Sequence, residues 1–193
     1  MRVFVCYYSS VIALVEEVVI LKKYTKRITT CAIFAAIICV VTTFVAVPAP
    51  AIGNVNLGDI FILCSAWLLG PWGAVAACIG ACLADLFSGF AIYAPATLVI
   101  KFLMAITAHY SFLLFFKTVK VQTLAYFLSA ILAEAIMVLG YFAYECFIYG
   151  ILAASASIVF NVIQGSVCLT IGTLCSVLLF KSPAIRKIKE KLI

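Results

Sequence analysis

The chain has 193 residues, 67% of them hydrophobic and 10% charged, with a mean hydropathy of +1.30. A soluble domain of this length could not hide so much apolar surface, so the sequence predicts one polytopic membrane domain. No Walker A, HExxH or GxSxG pattern occurs, which excludes the familiar machinery of ATP hydrolysis, zinc proteolysis and serine hydrolysis.

Residues 1–20, MRVFVCYYSSVIALVEEVVI, stand apart. Glu16 and Glu17 interrupt the apolar run, and no small-residue cleavage site follows, so this is a poor signal peptide. Two readings stand: a short extra helix, costly with two carboxylates in it, or an extension upstream of the natural start, with Leu21 read from a TTG codon behind a purine-rich stretch encoding the acidic pair. Residues 21–193 then form the membrane domain.

Helix 1 is predicted from about Ile28 to Val47, stopping at Pro48 and Pro50. About 20 residues at 1.5 Å each cross a 30 Å hydrocarbon core. Asp59 opens a second helix that ends near Leu69, short for a span, so it is either tilted with its ends shielded by protein or starts earlier in the loop. Gly70-Pro71-Trp72-Gly73 turns the chain into helix 3, from about Trp72 to Phe90. Helix 4 is expected over 96–116, helix 5 over 121–142 and helix 6 over 155–180. Small residues at 73, 77, 80, 81 and 84 allow close approach along helix 3.

Outside the apolar spans and the first 20 residues, the basic residues are Lys22, Lys23, Lys26 and Arg27, then Lys117 and Lys120, then Lys181, Arg186, Lys187, Lys189 and Lys191. With six spans all of these fall on one side, and the opposite loops (48–58, 88–95, 143–154) have no Lys or Arg. The net charge of +6 is thus a topology signal that places both termini in the cytoplasm. Trp67 and Trp72 are expected in the interfacial belt on that side. The nine cysteines form no CxxC pair and none sits near His109 in a ligand pattern, so they read as small hydrophobes, with no metal site and no catalytic residue.

Three ionisable residues lie where lipid would not tolerate them: Asp59, Asp85 and Lys101. Counting 1.5 Å per residue from the outer helix ends puts Lys101 and Asp85 about 8 Å deep, Asn161 about 9 Å, Glu134 about 12 Å and Gln164 about 13 Å. Side chains from four helices therefore share one depth, which points to a site. Glu134, Tyr141 and Glu145 share a helix face. Outer loops add Asn54, Asn56, Tyr93 and Tyr149, with Tyr144 near the same mouth. Tyrosines offer flat faces, and amides read donor–acceptor pairs on a heterocycle. Other readings stand beside these: Asp59 as a helix N-cap, Asp85 and Lys101 as an interhelical ion pair, and Asn161, Gln164 and His109 as interhelical hydrogen bonders.

The string NVNLGD…LLGPWGAVAACIGACLADLFSGFAIYAPATLVIK, the Asn161-Val162-Ile163-Gln164-Gly165 stretch and an AxxxA in helix 1 together resemble the substrate-binding S components of energy-coupling factor (ECF-type) vitamin transporters. The similarity covers roughly 22–180 and is nearest the branch linked to riboflavin, pyridoxine and hydroxymethylpyrimidine. It implies an all-α integral membrane protein of six transmembrane helices in a bacterial cell membrane. It also implies a vitamin bound under outer loops and docking through the AxxxA face onto a membrane T subunit that carries two cytoplasmic ATPases. Ala32, Ala35 and Ala36 map to that face. ATP is used by the partners, and no cofactor is bound by this chain.

The expected function is capture of a small water-soluble vitamin or precursor, pyridoxine or hydroxymethylpyrimidine first and riboflavin next. The binding residues are expected among Asn54, Asn56, Asp85, Tyr93, Lys101, Glu134, Tyr141, Tyr144, Asn161 and Gln164. Two alternatives belong to other classes. A stand-alone secondary permease would need an ion relay through the inner half, where His109 is the candidate. A membrane-embedded enzyme would need a nucleophile or metal site, and the lone His argues against one.

Overall fold

The computed structural model describes residues 2–48, 54–183 and 185. Six helices follow one another as α1 (Arg2–Phe44), α2 (Gly58–Leu69), α3 (Pro71–Phe87), α4 (Ala94–Val119), α5 (Gln122–Tyr149) and α6 (Ile151–Lys181). Four segments are long and apolar enough to cross a membrane: Tyr24–Phe44, Ala94–Val119, Gln122–Tyr149 and Ile151–Lys181. The first of these continues a single helix that starts at Arg2. Between α1 and α2 the chain forms a small antiparallel hairpin, β1 (Ala46–Pro48) with β2 (Asn54–Asn56), in which Val47 faces Val55.

The helices pack in sequence around a short central one: α1 on α3, α3 on α4, α4 on α5 and α5 on α6, with α2 touching α1, α3, α4 and α6. All of α2 except Phe61 is buried. A helix that is apolar on every face belongs inside a bundle, and burial of this kind explains how one of only 12 residues is held. Its ends are shielded by protein, as its length had suggested. The following Gly70-Pro71-Trp72-Gly73 turn lets α2 and α3 run side by side. Pro71 supplies the first residue of α3, where a missing N–H costs nothing. A Cβ on Gly73 would stand 2.3 Å from the Ser65 carbonyl oxygen, so only glycine permits that approach.

Helix ends depart from expectation where no breaker stops them. The sequence places the end of helix 5 near Phe142, yet α5 continues to Tyr149 because neither Gly nor Pro intervenes before Gly150. Gly150, at φ +82°, alone joins α5 to α6. The expected outer loop over 143–154 is thus one residue long. At its other end α1 stops at Phe44, and Ala46–Pro48 become strand rather than helix.

Trp67 is not in an interfacial belt. It is 1% exposed and packs against Tyr126 at 4.7 Å between ring centroids. Its indole N–H donates to the Ala108 carbonyl and the Ser129 hydroxyl, at 3.3 and 3.2 Å. Tyr126 in turn stacks on Phe112 (4.4 Å) and Phe180 (5.6 Å). These aromatics close the bundle at the C-terminal end of α2, so the space available for a ligand lies at the opposite, hairpin end. Trp72, half-buried, borders the α1–α3 groove.

Candidate functional site

At the hairpin end a cavity opens between the hairpin, the turn over residues 88–93 and α3 to α6. Thr42, Asn54, Asn56, Asp85, Ser88, Phe90, Tyr93, Thr97, Lys101, Tyr141, Glu145, Asn161 and Gln164 line it. Its volume is about 60 Å³, against roughly 300–1,000 Å³ for pockets that enclose a small molecule. Polar groups dominate the lining. Lys101, Asp85, Asn161 and Gln164, four of the five residues gathered by the sequence count, are among the lining; Glu134 is not.

The floor is a connected network. Lys101 of α4 donates to Asp59 Oδ1 of α2 at 2.5 Å, with both side chains almost fully buried. The other Asp59 oxygen accepts from Gln164 Nε2 of α6 at 2.7 Å. Gln164 Oε1 accepts the backbone N–H of Asn56 at 2.8 Å, and Asn56 Oδ1 accepts the Gly58 N–H at 3.0 Å. Three helices and the hairpin are therefore tied through one carboxylate. Lys101 Nζ also lies 5.3 Å from the centre of the Tyr141 ring, within cation–π range.

Asp59 is not an N-cap. Leu57 holds that position and α2 starts at Gly58, without a side-chain cap. Nor is Asp85 the hydrogen-bonded partner of Lys101, because Asp59 takes that place. Asp85 Oδ2 and Asn161 Nδ2 are instead buried atoms without a hydrogen-bond partner among the described residues.

Part of the wall is aromatic. Tyr93 is 7% exposed and lies 5.7 to 6.4 Å, between ring centroids, from Tyr141, Tyr144 and Tyr149. Its hydroxyl donates to Glu145 Oε1 at 3.3 Å, and the other Glu145 oxygen accepts from Ser157 of α6. Tyr141 and Thr97 share a hydrogen bond of 2.9 Å. Tyr144 donates to the Ile92 carbonyl and so braces the turn from behind, outside the lining.

Of the residues expected from sequence, Asn54, Asn56, Asp85, Tyr93, Lys101, Tyr141, Asn161 and Gln164 meet at the cavity, whereas Tyr144 and Glu134 do not line it. Glu134 lies deeper and is 4% exposed, with neither carboxyl oxygen hydrogen-bonded within the described residues. It stands against Gly165 of α6, where an added Cβ would come 3.3 Å from Glu134 Oε2. Thr42, Ser88, Phe90, Thr97 and Glu145 line the cavity without having been put forward as binding residues. Two of them carried a usable signal: Thr97 precedes Lys101 by four residues, and Glu145 follows Tyr141 by four, so each shares its neighbour's helix face.

The fold matches that of a protein described under the heading "Structure and mechanism of the S component of a bacterial ECF transporter", with a TM-score of 0.58 and 22% identity, over 82% of this chain and 95% of that one. No curated protein sequence matches the chain. The model of one family, "ECF-type riboflavin transporter, S component", matches residues 22–181. That span takes in the four segments long and apolar enough to cross a membrane, the hairpin and every cavity residue, and the chain therefore belongs to the ECF-type riboflavin transporter S component family.

Proposed function

We propose that this protein captures a small water-soluble vitamin, or a precursor of one, at the hairpin end of its helix bundle and delivers it to an ATP-driven import complex. Family membership makes it a vitamin-binding transporter subunit rather than an enzyme. The observation that carries the finer reading is the convergence of polar and aromatic side chains from the hairpin and from α3, α4, α5 and α6 on one cavity. A few convergent polar groups beside flat aromatic faces suit a heterocycle with hydroxyl and amino substituents. At about 60 Å³ the cavity is smaller than every candidate, pyridoxine, hydroxymethylpyrimidine and the three-ring flavin alike, so each must displace the hairpin or the 88–93 turn to enter.

In this reading Asp85, Lys101, Asn161 and Gln164 hydrogen-bond the ligand, Tyr93 and Tyr141 pack on it, and Asn54 and Asn56 cover it. Tyr144 holds the covering turn. Glu134, with both oxygens unsatisfied, joins them when the cavity widens. The basic clusters at 22–27, 117–120 and 181–191 support six spans with both termini in the cytoplasm, so the cavity faces outward in the bacterial cell membrane. Ala32, Ala35 and Ala36 dock on a membrane T subunit whose two ATPases supply the energy. Residues 1–20 lie before the span matched by the family model, which supports their being an extension to the membrane domain of residues 21–193. Mass spectrometry of the native N-terminus tests that.

Calorimetry of the purified chain in detergent, against a panel of vitamins and precursors and with no ATPase present, tests the main reading. One-to-one binding of one compound is expected. Proton-driven uptake by vesicles holding this chain alone would instead establish a secondary permease. Within the panel, Glu134→Gln should weaken binding about tenfold while leaving the ligand-free unfolding midpoint unlowered, because the carboxylate makes no hydrogen bond to lose. A fall in that midpoint would make Glu134 a structural residue.

A further inference from the structure

We infer that the cavity selects a nitrogen heterocycle of neutral or positive charge that turns an N–H donor toward Asp85, and that it rejects carboxylated and phosphorylated vitamins. The inference rests on the vitamin-binding reading above and narrows its substrate class. Its basis is the supply of charge. Lys101 is the only Lys or Arg between Arg27 and Lys117, and none occurs from 121 to 180. Four carboxyl side chains occupy the same interval of the bundle: Asp59, Asp85, Glu134 and Glu145. The charge of that single cation is already balanced, since Lys101 donates to Asp59 at 2.5 Å in a pair almost wholly shut from solvent; its remaining N–H groups are left for a neutral acceptor.

A ligand carboxylate or phosphate entering this space would meet no uncommitted cation and several acids. An unpaired buried charge is strongly disfavoured, and prising Lys101 from Asp59 would merely move the unpaired charge to Asp59. The groups that do lack partners point the other way. Asp85 Oδ2, an acceptor, and Asn161 Nδ2, a donor, are buried without hydrogen bonds in the described residues, and both residues line the cavity. An amino group on an aromatic ring, or a protonated ring nitrogen, satisfies Asp85. A ring nitrogen or hydroxyl oxygen satisfies Asn161. Aminopyrimidines and aminomethylpyridines carry both.

The test uses the full-length chain in detergent and titration calorimetry with five compounds: hydroxymethylpyrimidine bearing its ring amino group, pyridoxamine, pyridoxine, pyridoxic acid and pyridoxal phosphate. The acid and the phosphate should bind at least 100-fold more weakly than the best amino-bearing compound. Asp85→Asn should cost that compound at least tenfold. The comparison among ligands needs no variant, so it stands even if Asp85→Asn folds poorly. If the acid or the phosphate binds as tightly as the neutral compounds, charge selection is overturned while the vitamin-binding reading survives. Unchanged affinity in a folded Asp85→Asn protein overturns the role of Asp85 in the same way. If neither these five nor riboflavin bind to protein with a cooperative thermal transition, the vitamin-binding reading itself fails, and this inference with it.

Discussion

Asp59 shows what a single residue can do when it is buried at the start of a central helix. Both of its oxygens are used, one by Lys101 and one by Gln164, so removing it strands a buried ammonium and an amide at once. Breaking one side of a buried ion pair costs about 3–5 kcal/mol, whereas replacing both partners is far cheaper. Asp59→Ala should therefore lower stability by about 3 kcal/mol in thermal or denaturant unfolding, and Asp59→Asn combined with Lys101→Met should lose markedly less. Equal losses would mean that the pair contributes little. The pairing itself was not legible in the sequence. Depth can be counted from helix ends, and of the five residues gathered by that count Asp85, Lys101, Asn161 and Gln164 line the cavity while Glu134 does not. Azimuth cannot be counted, because it depends on how α2 nests among its neighbours, and this is what gave Lys101 to Asp59 rather than to Asp85.

At the scale of elements, the lesson lies in how short pieces are held. The hairpin is only three residues on each side, too little to be stable alone. Its anchor to the bundle is the Asn56 N–H bonded to Gln164 Oε1, reinforced by the weaker Cys168 thiol contact to the Asn56 carbonyl at 3.6 Å. Gln164→Leu keeps the volume of the side chain but leaves the Asn56 donor and one Asp59 oxygen unpaired. Each such loss costs about 1–3 kcal/mol. The expected outcome is faster amide exchange at residues 54–56, with α4 and α5 unaffected. Uniform acceleration across the bundle would instead identify Gln164 as part of the global fold. The six helices were readable from apolar runs and from the Gly-Pro-Trp-Gly turn. The hairpin was not, because three-residue strands, the first of them ending in Pro48, carry no periodic signal. The length of α5 was missed because an aromatic, weakly polar stretch such as Tyr144 to Tyr149 reads equally well as a loop at a membrane surface.

For the molecule as a whole, the two ends and one flank divide the labour. The hairpin end holds the cavity, the Trp67–Tyr126 cluster seals the other end, and the flank between α1 and α3 carries an apolar groove of about 580 Å³ lined by Ile28, Ala32, Ala35, Ala36, Val75, Ile79 and Leu83 among others. A small-residue contact makes that flank. A Cβ on Gly80 would sit 2.5 Å from the Ala35 carbonyl oxygen, so glycine there lets α3 lie against the α1 backbone. Ala32 and Ala36 then face outward, exposed, where a partner helix can approach as closely. On the proposed docking role, Ala32→Trp with Ala36→Trp should fill the groove. Since both lie at least six residues, about 9 Å along α1, before Thr42 in the cavity lining, vitamin affinity should stay within about twofold, a difference of under 0.5 kcal/mol. Co-purification with the T subunit and ATP-dependent uptake should be lost together. If uptake persists, the energising partner docks elsewhere. If binding falls in parallel with uptake, the groove and the cavity are not independent, and α1 couples them through Thr42, which lines the cavity from the same helix.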